Sequence, residues 1–98
     1  MKIWVNGCFD ILHRGHFELF NYAKSLGDYL VVGIDSDEKV AQDKGPDRPY
    51  NNLEDRHYAL ESLKAIDQIY VFDSKDHLEW LVQKEQPDIR VDRDWETF

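Results

Sequence analysis

Two histidines with a glycine between them, in the run His13-Arg14-Gly15-His16, are the residues of this sequence best suited to chemistry. Spaced three apart at a helix start, both imidazoles fall on one side. The glycine allows close approach to the backbone, the first helical turn offers unpaired N–H groups, and imidazoles donate hydrogen bonds to oxygens that gain charge. These are the parts of a polyphosphate site. A lone histidine at a helix start is usually a capping or surface residue. The pair with its glycine, directly after an apolar run, is what points to a ligand. Cys8, His13 and His16 are also three potential zinc ligands, although no fourth follows and the close cysteine spacing of most zinc sites is missing.

A turn of this kind needs a strand before it and a helix after it. Short apolar runs alternate here with amphipathic stretches, the pattern that builds a parallel sheet covered by helices. Strands are predicted at residues 3–5, 29–34, 69–72 and 89–91. Leu19, Ala23 and Leu26 recur on one helical face, and Gly27-Asp28 supplies a stop. Asn51 is the predicted cap of a second helix, with Glu54 reaching back to it; Leu53, His57, Leu60 and Lys64 share a side, with Leu63 beside them. A last helix begins near Ser74, turns Leu78, Leu81 and Val82 inward, and ends before Pro87. Residues 42–50 contain Gly45, Pro46 and Pro49 and read as a loop; Trp4 and Trp80 read as packing. The expected class is α/β, a Rossmann-like doubly wound parallel sheet of four to five strands, with residues 1–98 as one domain. Such sheets bind ligands at the carboxyl ends of their strands. The segments to watch are therefore 6–16, 35–38, 73–75 and 92–95.

Ninety-eight residues hold one small core, so any site must lie on that sheet or be completed by another chain. Twelve basic residues against twenty acidic ones give a net charge of -8, which repels nucleic acid and anionic membranes at long range. No nucleic-acid or membrane partner is expected. From Asp67 onward nine carboxylates face four basic residues, leaving the histidine-bearing half the less acidic. The single cysteine, Cys8, forms no intrachain disulfide and fits a reducing compartment. With no signal-peptide pattern and no apolar run of about 18 residues, the cytoplasm is the expected location.

Gly7-Cys8-Phe9-Asp10 followed by His13-Arg14-Gly15-His16 resembles the nucleotidyltransferase superfamily defined by a His-x-Gly-His signature. Residues 27–34 with Ser36-Asp37-Glu38 resemble the segment after the signature helix in the small cytidylyltransferases. Lys44-Gly45, Arg48-Pro49 and Leu53-Glu54-Asp55-Arg56 are most similar to the nucleotidyltransferase domain of ADP-heptose synthases, while Asp94-Trp95 resembles the Asp-Asp-Trp of glycerol-3-phosphate cytidylyltransferases.

The resemblance implies transfer of a nucleotidyl group from a nucleoside triphosphate to a phosphorylated small alcohol, with release of pyrophosphate and Mg²⁺ on the triphosphate. A phosphate monoester is already an anionic nucleophile, so catalysis reduces to alignment and neutralisation of charge. By the same resemblance His13 and His16 contact the triphosphate, Lys44 grips phosphates from a loop, and Cys8, Phe9 and Gly15 lie along the nucleotide. Asp10 orients the site or simply forms the turn. Arg56 pairs with a phosphate or with a nearby carboxylate. Asp94 binds a hydroxyl and Trp95 stacks on the nucleoside, or Trp95 fills a core or interface. Arg14, Arg48 and Lys64 are weaker candidates.

The resemblance also implies a homodimer, and a domain cut short at its C-terminus. The small cytidylyltransferases continue past Asp-Trp to an Arg-Thr-x-Gly-Ile-Ser-Thr-Thr helix start, which these residues lack. The leading reading is a CTP-dependent cytidylyltransferase acting on a substrate such as glycerol 3-phosphate, which Asp94-Trp95 and the short length favour over the alternative, an ATP-dependent enzyme acting on a sugar 1-phosphate; the lacking helix start favours a third, a nucleotide-binding remnant without catalysis. Turnover is expected only with a terminal helix restored.

Overall fold

The computed structural model describes residues 1–91. Along the chain run β1 (Lys2–Gly7), α1 (Arg14–Ser25), β2 (Tyr29–Asp35), α2 (Asp37–Lys44), α3 (Leu53–Glu61), β3 (Gln68–Phe72), α4 (Lys75–Glu85) and β4 (Ile89–Arg90). The strands form one parallel sheet in the order β3-β2-β1-β4. The chain moves outward from β1 to β3 and then returns to the far side of β1. The order therefore reverses at β1, and the segment following β1 occupies the switch point where such sheets take ligands.

Period-two alternation divides the strand side chains between two faces. Ile3, Val5, Leu30, Val32 and Ile34 pack with Leu19, Phe20 and Ala23 of α1 and with Leu60 of α3. Trp4, Val31 and Phe72 pack on the other face with Leu78 and Leu81 of α4. Both faces of β1 and β2 are covered, which is why these strands read as unbroken apolar runs. Gly33 is needed beside Trp4, because a Cβ there would stand 2.7 Å from Trp4 Cζ2.

The structure changes three details of the sequence reading. Residues 42–44 belong to α2, so Lys44 stands in the last turn of a helix that Gly45 closes at φ 114°, and not on a loop. The cap of α3 is Asn52, whose side chain accepts from the Asp55 N–H; Asn51 is engaged elsewhere. Trp80 is exposed on α4, while Trp4 is fully buried. Ser74 does cap α4, and the left-handed Gln86 ends it just before Pro87.

Candidate active site

The histidine turn is a helix cap made of imidazoles. His13 is the N-cap of α1 in extended conformation, and its Nδ1 accepts from the Gly15 N–H at 3.0 Å. His16 Nδ1 accepts in return from the His13 N–H at 3.2 Å. This is a capping box with two histidines in place of the usual Ser/Thr and Glu. Its chemical consequence is a fixed tautomer: in a neutral ring whose Nδ1 accepts, Nε2 carries the proton. Each imidazole thus has Nε2–H as its donor, and the rings lie together with centroids 4.1 Å apart.

Phe9 supports the pair from below. Its backbone is left-handed at φ 52°, a costly conformation for an aromatic residue, which the packing around it must hold. Its ring meets His16 edge-on at 5.6 Å and Phe20 at 5.2 Å. Gly7 makes room for it, since a Cβ there would come within 3.0 Å of the ring.

Asp10 ties the turn to the segment before α3. Its carboxylate is 3% exposed and accepts from the backbone N–H groups of Tyr50 and Asn51, both at 2.8 Å, and from Arg48 Nε at 3.2 Å. Asn51 Nδ2 donates back to the Asp10 carbonyl at 2.6 Å. Burial alone would raise the pKa of Asp10, but these donors outweigh it and hold the carboxyl below its ordinary value. A carboxyl lowered on folding stabilises the fold above its unfolded pKa of about 3.9 and loses that contribution as pH falls through the folded value. Asp10→Asn should therefore lower the urea midpoint most above about pH 5, and the gap to wild type should begin to narrow near about pH 4 and go on closing as pH falls further. A gap unchanged across that range would remove the carboxylate's charge from the clamp.

Arg56 opens α3 and is 1% exposed. Its guanidinium donates to three carbonyls, of Asn51 at 3.0 Å, Cys8 at 3.0 Å and Asp35 at 2.8 Å, and to Asp37 Oδ1 at 2.6 Å. Three segments, at Cys8, at Asp35 to Asp37 and at Asn51 before its own helix, meet on this one planar fork. Of the two partners expected for Arg56, it holds the carboxylate.

Cys8, Phe9, Asp10 and His16 line a cleft of about 260 Å³ together with Lys44 and Arg48. Lys44 makes no ion pair with any described residue, which leaves its ammonium for a ligand. Burial pushes the Cys8 thiol up, against the opposing charges of Lys44 and Arg56, so the residue lines the cleft as a thiol. His13 is exposed and stands against His16, and Gly15 gives its N–H to the cap. Asp94 and Trp95 lie outside the described residues. No three His, Cys, Asp or Glu side chains are grouped to hold a metal ion among the described residues, so Cys8, His13 and His16 do not converge as zinc ligands would.

Sequence reasoning underrated Arg48, which bonds Asp10, lies over the Tyr50 ring at 4.4 Å and lines the cleft. Its position in the Pro46 to Pro49 stretch, opposite a turn carboxylate, was the available signal. The donors from Tyr50 and Asn51 are backbone groups and carry none. Among the described residues no helix is long and apolar enough to cross a membrane.

The comparisons agree with this fold. The cytidylyltransferase-like family model matches residues 4–95. The bifunctional protein HldE of a Nitratiruptor species is 47% identical over 89 residues, covering 91% of this chain and 19% of that protein. Its counterpart in Helicobacter pylori (strain Shi470) is 44% identical over the same shares. The chain thus spans about a fifth of the length of these relatives. The crystal structure of the lipopolysaccharide core biosynthesis protein from Thermoplasma volcanium GSS1 superposes with a TM-score of 0.80 at 29% identity, covering 92% of this chain and 71% of that one. With its histidine cap at the switch point of a parallel sheet, and a match running from Trp4 in the first strand through residue 95, the chain belongs to the cytidylyltransferase-like family of nucleotidyltransferases.

Proposed function

We propose that the chain catalyses nucleotidyl transfer from a nucleoside triphosphate to the phosphate of a phosphorylated sugar or polyol. An acceptor phosphate oxygen bonds to the α-phosphorus, the bond from that phosphorus to the bridging oxygen breaks, and pyrophosphate leaves. The observation carrying this reading is the capping box, because it commits both Nδ1 atoms and makes Nε2–H the donor of each imidazole. Fixed donors at a helix N-terminus stabilise charge developing on phosphate oxygens without reorganising. Lys44, in the same cleft as His16, adds a positive charge. Mg²⁺ arrives on the triphosphate as part of the substrate, while Asp10 spends three of its acceptor sites on the clamp.

Two substrate pairs have specific support. The 40 to 47% identity to the HldE proteins, together with the ADP-heptose synthase resemblance of residues 44–56, favours ATP with a sugar 1-phosphate. Asp94-Trp95 favours CTP with glycerol 3-phosphate. A cytoplasmic homodimer belongs to the same proposal, on the resemblance and on the lone cysteine. The test is pyrophosphate release from ATP, CTP, GTP and UTP against hexose and heptose 1-phosphates and glycerol 3-phosphate. It is run on the 98-residue chain and on one extended by a helix start of the Arg-Thr-x-Gly-Ile-Ser-Thr-Thr type. Release with ATP and a sugar 1-phosphate is expected from the extended chain. Release only with CTP and glycerol 3-phosphate selects the other pair, and nucleotide binding without turnover in either chain leaves the remnant reading.

A further inference from the structure

A second, larger opening of about 880 Å³ adjoins the histidine cleft, reaching the carboxyl ends of all four strands at Asn6, Asp35, Phe72 and Arg90. That volume lies within the roughly 300–1,000 Å³ typical of small-molecule sites. Asn6, Gly7 and Lys44 line both openings, so the two are continuous. Beyond β4 the sequence leads on to Asp94-Trp95, the pair that the resemblance assigns to the nucleotide. The β2 side has no assigned occupant.

Beside Lys39, Asp43 and Lys44 of α2, two polar side chains from the strand ends line this side. Asp35 ends β2 with its carboxylate only 12% exposed. Asp10, at the end of the neighbouring strand segment, receives three hydrogen bonds, whereas no described residue donates one to either Asp35 carboxylate oxygen. Among the described residues the one cation paired with it is Lys39, at 4.0 Å, and Lys39 Nζ sits closer to Asp43 at 2.6 Å. Burial accordingly pushes the Asp35 carboxyl up, against the pull of Lys39. Its backbone is not loose, because Arg56 holds its carbonyl at 2.8 Å. The free chain thus keeps a buried carboxylate short of donors, an arrangement that costs stability.

Asn6 has the complementary chemistry. Trp4 Nε1 donates to Asn6 Oδ1 at 2.9 Å, which fixes the amide orientation and leaves the two Nδ2–H donors pointing away from Trp4. Asn6 pairs in register with Gly33, two residues before Asp35, so both side chains fall on the sheet face of Trp4 and Val31. A carboxylate acceptor and an amide donor on adjacent strand ends suit a molecule with several hydroxyls, each of which donates once and accepts as well.

We propose that the β2 side of this opening binds the hydroxyl-bearing body of the phosphorylated acceptor, with Asp35 and Asn6 as its specificity-determining residues. Lys44, common to both openings, holds the acceptor phosphate against the histidine cleft. This rests on the nucleotidyl-transfer reading. A site that hydrogen-bonds a substrate hydroxyl discriminates strongly, because an analogue without it leaves the buried groups unpaired.

The test is calorimetric titration of the full chain and its Asp35→Asn variant with a hexose 1-phosphate, with inorganic phosphate, which lacks the hydroxylated body, as control, and with ATP. Asp35→Asn should weaken hexose 1-phosphate binding by at least about 10-fold while leaving phosphate and ATP affinities unchanged. Its thermal midpoint should be no lower than wild type, which separates lost recognition from lost folding. Equal hexose 1-phosphate affinity in the two proteins, an equal loss for inorganic phosphate, or a wild type that binds hexose 1-phosphate no better than phosphate would each overturn the assignment. None of these readouts needs turnover, so the absence of pyrophosphate release would count against the nucleotidyl-transfer reading alone.

Discussion

In the extended chain, His16→Ala is expected to lower kcat for pyrophosphate release by roughly 10²–10³-fold, the loss typical of removing one fixed donor to a developing oxyanion. The difficulty is that His16 does two jobs. Its Nδ1 accepts from the His13 N–H, so alanine also breaks half of the capping box. Caps are worth about 0.5–2 kcal/mol, enough to fray α1 and move the turn without any direct role in chemistry. Substitutions that keep the cap separate the two effects. Gln at this position can reach back to the same N–H, as it does in ordinary capping boxes, and Ser is a preferred N-cap in place of His13. His16→Gln and His13→Ser should therefore unfold at the wild-type temperature within a few degrees yet remain well below wild type in kcat. If His16→Gln restores both stability and rate, the imidazole serves only as a cap. An unchanged kcat in His16→Ala would remove His16 from the mechanism altogether.

The strands and the switch-point turn were legible because they are local. An apolar run such as 29–34 has to be buried on both sides, and the signature turn follows directly on a strand. Helix α2 was hidden for an equally physical reason: Val40 is its one buried side chain, so it carries no apolar stripe for periodicity to find. The prolines just beyond it extended the loop reading backward over Lys44. Asn51 and Asn52 are both good caps by type, and only the demand of Asp10 for Asn51 decides between them. Trp80 shows a reading that periodicity alone could have corrected, since a residue two after Leu78 and one before Leu81 turns to the solvent face of that helix. The cleft brings together Cys8, Phe9, Asp10, His16 and Lys44, which lie up to 36 positions apart. A family motif can suggest that convergence, but composition and spacing cannot. Asp35 was marked only as part of a strand end, because an unmet carboxylate is a property of its surroundings and not of its residue type.

Arg56 is the extreme case of a role invisible in sequence, and its loss should cost the most stability. Arg56→Ala would strand the carbonyls of Cys8 and Asp35 away from solvent, leave the part-buried Asn51 carbonyl without its donor and release Asp37. Each buried polar group left unpaired costs about 1–3 kcal/mol, and relaxation and water entry keep the sum below the simple total. The Asp37 pair adds little, because that carboxylate is 40% exposed and water replaces the guanidinium. A net loss of about 3–5 kcal/mol is expected, comparable to breaking a buried charge network. For a domain of this length, about 4–8 °C per kcal/mol puts the fall in melting temperature above roughly 12 °C. Arg56→Lys should recover little, since a single ammonium cannot span three carbonyls that a planar fork reaches together. Thermal and urea unfolding at neutral pH measure both variants. The lysine variant also separates the two partners the sequence allowed. A phosphate ligand replaced by lysine keeps its charge, so the fold would stay intact and the nucleotide KM would rise. The hub seen here predicts the reverse: stability falls first, and activity falls with it because the ends of β1 and β2 lose the guanidinium that holds them together.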